Sequence, residues 1–401
     1  MESLSSTIKH RVTNIHMPEN RNKNEVDKRF KIVYAIGMLS VIAGHCCGKC
    51  SIELNINGWF HYRSFHMPLF MFAAGYFYKI KNNNNICDYL LRKLKRLVIP
   101  IYLYNFFYGF YIQLLKHVGF RNNNNLRPFS FEILFVEPLG GGGFRNIAPS
   151  WFSSSLFFVE AYNIIKRKLI SFLFKQTQEF IYLLIDIHLS FFSVILSNKG
   201  YNKKVININI LRVFHLNIYY ELGIFYKKYI ENSVKKVRND IIFLTIFTVK
   251  LCFHLYYSIA PVFSYISSQY YNYSPFTVIT ISVSGIIFWI KISEILEPIL
   301  GTNFYINIIA DNTYSIMINH FLALDLIKSI FAIISKNTKY CKDFNFKRYY
   351  SLDKSYIYIP NKVLQSGIIY YLGCLIIPII MQKTINNIKK LYLIKRKIIL
   401  N

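Results

Sequence analysis

Long apolar runs constrain this chain more than any other feature. Stretches of about 18 to 22 residues, each able to cross ~30 Å of hydrocarbon at ~1.5 Å per residue, follow one another from residue 31 onward. Of 401 residues, 53% are hydrophobic and 17% aromatic, and the charges fall mostly between the runs. That patterning excludes a disordered chain, a disulfide-rich secreted module and an ordinary soluble enzyme. It predicts an all-α integral membrane protein, a bundle of about ten transmembrane helices.

The spans are placed near residues 31–48, 60–78, 97–115, 151–165, 179–197, 206–226, 240–260, 275–294, 303–327 and 363–382. Asp186, His188, Arg212, Glu221 and Asp325 interrupt the fifth, sixth and ninth. Lys and Arg are denser on the side that carries the N-terminus: Arg92, Lys93, Lys95 and Arg96; Lys166 to Lys168; Lys235, Lys236 and Arg238; Lys395 to Lys397. The positive-inside rule makes that side cytoplasmic, and an even number of spans returns the C-terminus to it. A basic segment at residues 336–362 is the exception, because it falls outside. The organisation is therefore a basic tail over 1–30 with no cleavable signal pattern, a membrane domain over 31–382, and a basic tail over 383–401. No loop is long enough for a separate catalytic domain, so any chemistry belongs to side chains in or beside the spans.

A formal net charge of +28 raises nucleic-acid binding. Nucleic-acid binders gather their cations on one soluble face, whereas these sit between spans as membrane topology requires, so no nucleic-acid partner is expected. His45, Cys46, Cys47 and Cys50 bunch together, yet no second ligand pair follows at finger-like spacing, and no metal is expected. The run Gly140 to Gly143 lacks the Lys-Ser or Lys-Thr of a phosphate loop and the spacing of a dinucleotide site. It reads as a flexible connector.

Ionisable groups inside hydrocarbon are costly and mark candidate sites. His45 lies at the outer end of the first span and His66 at the start of the second, near Pro68, a residue suited to a first helical turn. The link between these spans is short, so the helices should be antiparallel neighbours with both imidazoles at similar depth. Imidazole is the side chain suited to proton transfer near neutral pH. Read alone, His66 is equally well explained as a cap for helix-end amides, and His45 as an interface residue. Tyr34 precedes His45 by eleven residues, on nearly the same helix face and ~16 Å away. Ala73-Ala74-Gly75 offers small side chains for close helix packing. His320 in the ninth span reads as a packing or substrate-side histidine, and Glu160 as a partner for an intramembrane cation.

Five blocks occur in order: FKIVYAIGMLSVIAGH (Phe30 to His45), FHMPLFMFAAGYFY (Phe65 to Tyr78), LRKLKRLVIPIYLY (Leu91 to Tyr104), PSWFSSSLFFVE (Pro149 to Glu160) and NTYSIMINHF (Asn312 to Phe321). Together they resemble the acyltransferase-3 family of integral-membrane O-acyltransferases, especially its sugar-modifying members, over residues 30 to about 380. The resemblance implies a bundle of about ten helices in the bacterial cytoplasmic (inner) membrane. It also implies transfer of an acyl group, usually acetyl, from a cytoplasmic thioester such as acetyl-CoA to a hydroxyl of an envelope or exported glycan, lipopolysaccharide and lipid-linked glycans included. It makes His45 and His66 the catalytic candidates, Arg96, Lys31 and Tyr34 the donor-binding candidates, and Trp151, Glu160 and His320 substrate or structural residues. The family commonly has Arg or Lys where Tyr34 stands, with Lys31 one turn earlier here, and Ser-Gly where Ala74-Gly75 stands.

Acyl transfer needs a base for the nucleophile and a donor for the developing oxyanion. His45 is expected to take the hydroxyl proton, with His66 orienting it or donating to the oxyanion; a covalent acyl-histidine is the other route. The rival reading is a polysaccharide exporter, flippase or polymerase. It requires an inverted repeat or a stripe of cations along several spans, and neither is visible.

Overall fold

The computed structural model describes residues 27–46, 59–79, 86–120, 127–174, 178–258, 261–351, 356–360 and 367–400. They form helices and connecting loops, with one isolated antiparallel bridge between Ser264 and Gln269. In chain order the long helices are α1 (Lys28–Cys46), α2 (Tyr62–Tyr76), α3 (Ile86–His117), α4 (Trp151–Leu173), α5 (Glu179–Asn198), α6 (Val205–Phe225), α7 (Asn239–Tyr257), α8 (Pro275–Leu300), α9 (Phe304–Asp311), α10 (Thr313–Asn337) and α11 (Gly367–Leu400). Among the described residues, α1, α3, α5, α7, α8, α10 and α11 are long and apolar enough to cross a membrane. Helices also occupy the second, fourth and sixth predicted positions. α2 has only 15 residues, while α4 and α6 carry buried charges. The predicted ninth span breaks at Asn312, whose side-chain amide turns back to the Ile308 carbonyl at 2.9 Å and separates α9 from α10.

α2 is apolar on every side and accordingly lies in the middle of the bundle. It packs against α1, α6 and α8. Two glycines allow the α2–α6 contact: a Cβ on Gly75 would overlap the Tyr220 carbonyl oxygen, and one on Gly223 would overlap the Phe72 carbonyl oxygen. The two backbones therefore meet where small side chains permit it, as the Ala73-Ala74-Gly75 stretch predicts. α7 occupies the rim. Little of it is buried, apart from Ile246 and Lys250, whose ammonium lies 4.8 Å from the centre of the Phe60 ring.

The α2 helix starts at Tyr62, earlier than Pro68 suggested, so the proline lies inside it. Proline has no N–H to offer the carbonyl four residues back, here that of Ser64. The Tyr265 hydroxyl supplies that hydrogen bond at 3.0 Å and also pairs with the Ser282 hydroxyl at 2.7 Å. Tyr265 belongs to the α7–α8 connection, which is thereby drawn into the bundle; Phe263, Tyr265 and Tyr270 are all buried.

Two of the charges that interrupt the spans, Asp186 and Glu221, are matched by cations at the Arg29 end of the bundle. Lys166 on α4 reaches Asp186 on α5 at 2.5 Å and Glu221 on α6 at 3.2 Å. Arg167 pairs with the same Glu221 and with Glu179 at 2.7 Å. So Lys166 and Arg167, which read as an orientation signal, are structural ties between three helices. His188 points elsewhere, as its spacing from Asp186 requires, and bonds its own helix at the Leu184 carbonyl. A second cluster joins Arg29 of α1 to Asp27, to Glu231 and to Glu294 at 2.7 to 2.9 Å, with the Tyr76 hydroxyl on Glu231.

Two stability outcomes follow. Gly223→Leu forces α2 and α6 apart, and detergent-solubilised protein should lose its monodisperse peak in size-exclusion chromatography. Lys166→Met strands the buried Asp186 carboxylate and leaves Glu221 only Arg167 as a cationic partner, and should cost about 3–5 kcal/mol. A lowered thermal midpoint checks this, and adding Asp186→Asn should recover part of the loss.

Candidate functional site

The end of α1 and the start of α2 are bound to each other. The Tyr62 hydroxyl donates to the Gly44 carbonyl at 3.3 Å, and Gly44 has no side chain because the Tyr62 ring fills that space. This brings His45 and His66 to the wall of one cavity of about 230 Å³, where Trp151 and Phe152 also stand. The remaining walls come from the α7–α8 connection, through Phe263 to Ile266, and from α10, through Met317 and Phe321. The two histidines, expected to stand near one another, thus line one cavity.

The histidines are held differently. His66 Nδ1 sits 2.5 Å from the Tyr62 carbonyl oxygen. A carbonyl only accepts, so Nδ1 carries the proton and the neutral ring has Nε2 as a bare acceptor. His45 is the more exposed of the two and packs edge-on against Phe321, with ring centres 4.8 Å apart. His320 lies directly behind it, with ring centres 5.0 Å apart. His320 Nδ1 is placed 3.0 Å from the Ile316 carbonyl, and its buried Nε2 has no hydrogen-bond partner among the described residues. A third imidazole therefore stands beside the first. The preceding Asn319 accepts the Tyr108 hydroxyl at 2.5 Å, which ties α10 to α3.

Trp151 is positioned by Arg212, a residue whose role in the sequence was only that of an interruption. Its guanidinium carbon lies 4.9 Å from the Trp151 ring centre, and it donates to the Gly140 carbonyl at 3.0 Å and to the Ile266 carbonyl. One buried cation thus joins the two loops that wall the cavity. The glycine run is an ordered turn rather than a flexible connector. Gly141 and Gly143 have φ of 86° and 79°, the left-handed region that glycine enters without strain. The Gly143 amide donates to the Glu137 carboxylate at 2.8 Å, and Arg127 pairs with that carboxylate. From this turn the chain enters a 3₁₀ segment, Arg145–Ser150, that delivers Ala148, Pro149 and Trp151 to the cavity.

The other candidates lie outside this space. Lys31 pairs with Asp311 of α9 at 3.4 Å. Tyr34 stacks on Phe70 at 6.1 Å, and Phe70 in turn touches Phe152 of the wall. Arg96 is exposed on a π-helical turn of α3, Leu94–Val98. Glu160 is buried and bonded by Lys93 of α3 at 2.7 Å, so its partner is an interfacial lysine from the basic cluster. Cys47 and Cys50 lie outside the described residues, among which there is no group of three His, Cys, Asp or Glu able to hold a metal.

Sequence reasoning missed the α7–α8 connection and Arg63, both part of the cavity. One signal was present. Residues 261–274 contain no charged side chain although they join two spans of a strongly basic chain, which fits a segment that folds inward.

A family model described as an acyltransferase domain, Acyl_transf_3, matches residues 30–383. No curated protein and no solved structure matches the chain. The matched span runs from the first turn of α1 into α11 and contains all the residues that wall the cavity. The chain belongs to the acyltransferase-3 family and is a multi-pass membrane acyltransferase.

Proposed function

We propose that the protein moves an acetyl group from acetyl-CoA, on the cytoplasmic side, to a hydroxyl of an envelope or exported glycan in the bacterial cytoplasmic membrane. The observation that supports this most directly is that His45 and His66, with Trp151, line one cavity. In this reading ten helices cross the bilayer, α9 and α10 together making the ninth crossing. The Arg29 end and both termini face the cytoplasm, as the basic clusters there favour. The His45 end then faces outward, toward the glycan.

The reaction divides between the imidazoles. His45 takes the proton of the attacking hydroxyl as its oxygen bonds to the thioester carbonyl carbon. As the tetrahedral intermediate collapses, the carbon–sulfur bond breaks and the imidazolium returns the proton to the leaving thiolate. His66 accepts a hydrogen bond at Nε2 from a neighbouring hydroxyl and so orients the sugar. Its Nδ1 bond to the Tyr62 carbonyl leaves the neutral ring no proton for an oxyanion, so of the two roles its position suggests, orientation is the one this ring can perform. His320 backs the His45 ring and limits its rotation. Trp151 offers a flat apolar face to the sugar ring, fixed in place by Arg212.

The donor is assigned to the opposite end. Arg96, exposed at the Arg29 end, faces its phosphates, and Lys31 and Tyr34 line the path inward. Lys31 precedes His45 by roughly 20 Å of helix, a span that the extended arm of a thioester donor would have to cover. Glu160, held by Lys93, anchors the start of α3 beside that path.

His45→Ala should lower glycan acylation by at least ~100-fold, the scale of a lost general base, with the protein still abundant in membranes. Mass spectrometry of surface polysaccharide, reading loss of one acetyl mass per modified unit, checks it. Near-normal acetylation removes His45 from the mechanism.

A further inference from the structure

We propose that the acceptor is an anionic glycan and that Arg63 binds its carboxylate or phosphate. This rests on the acyl-transfer reading of the cavity and deepens it. Apart from the two imidazoles, Arg63 is the one ionisable cationic side chain among the described residues that line the cavity, and no carboxylate or carboxamide lines it. A site for a neutral sugar takes its specificity from a few precisely placed polar groups, and carboxylate acceptors and donor–acceptor carboxamides are absent among the described residues of this wall. What the described wall offers instead is aromatic surface, the hydroxyl-bearing Ser264, Tyr62 and Tyr265, two imidazoles and one guanidinium.

The guanidinium is pre-oriented. Arg63 Nε donates to the Tyr62 hydroxyl at 3.1 Å, with the guanidinium carbon 5.7 Å from the Tyr62 ring centre. Tyr62 is itself bonded to the Gly44 carbonyl beside His45. The terminal nitrogens of Arg63 hold no hydrogen bond within the described residues, so the fork that matches a carboxylate or phosphate faces outward from a fixed stem. His66 follows three residues later on the same helix, about 5 Å along the axis. An acidic group on Arg63 therefore places a hydroxyl of the same or the adjoining ring at His66 and His45. A uronic acid or a sugar phosphate has that spacing.

The anion could instead belong to the donor, and kinetics separate the sources. Purified protein supplied with acetyl-CoA is assayed on methyl glucuronide, on a methyl glycoside phosphate and on neutral methyl glucoside. Wild type should prefer an anionic acceptor. Arg63→Gln should raise KM for that acceptor by about tenfold or more, leaving kcat, KM for the neutral glycoside and KM for acetyl-CoA unchanged, and Arg63→Lys should restore part of the affinity. Equal wild-type use of charged and neutral acceptors, or a change confined to the acetyl-CoA KM, overturns the anionic acceptor while leaving acyl transfer standing. Wild type that acylates none of the three, but still acetylates surface glycan in cells, overturns it in this simple form too. Loss of acylation in both settings brings down the acyl-transfer reading and this inference with it.

Discussion

A backbone carbonyl without a partner has no remedy in hydrocarbon, and much of this structure follows from that constraint. Pro68 inside α2 releases the Ser64 carbonyl, and the hydroxyl that satisfies it comes from Tyr265, on a loop that would otherwise lie over the surface. Meeting one orphaned acceptor pulls the α7–α8 connection into the bundle. The connection then becomes a wall of the cavity that also holds His45 and His66. A helix irregularity and a cavity wall thus have a common cause.

The same constraint governs charge. Burying an ion is tolerated when its partner and hydrogen bonds are supplied together. Lys166, Asp186, Glu221 and Arg167 meet that condition across three helices, and Arg29, Glu231 and Glu294 meet it across others. Arg212 differs in kind from these. Its partners are carbonyl oxygens and an aromatic face rather than a carboxylate. A cation so placed fixes two loops through the dipoles of their carbonyls.

Much of this was legible in the sequence where the governing pattern is local. Apolar runs of spanning length mark the helices, and the short link between the first two fixes His45 and His66 near one level. Small residues at Ala73-Ala74-Gly75 mark a close contact, and the Trp151-Phe152 block leads to the cavity wall. What escaped depends on partners far apart in the chain. Nothing near Glu160 names Lys93, 67 residues away, as its counter-ion. Nothing near Arg212 names Gly140, 72 residues away. The break at Asn312 rests on polar side chains turning back on their helix, at an Asp311-Asn312-Thr313 triplet short enough to be read as part of one continuous span. The inward fold of residues 261–274 left only an absence of charge to read.

The Tyr265 loop gives the protein a division of labour in its own architecture. The helices carry the imidazoles and are locked by glycine contacts and ion pairs, while a single connecting segment of modest length shapes one side of the space between them. Substitutions at Ile266 or Ser264 would remodel that side without repacking any helix. Descendants of such a chain have a short path to a reshaped cavity on an unaltered helical frame.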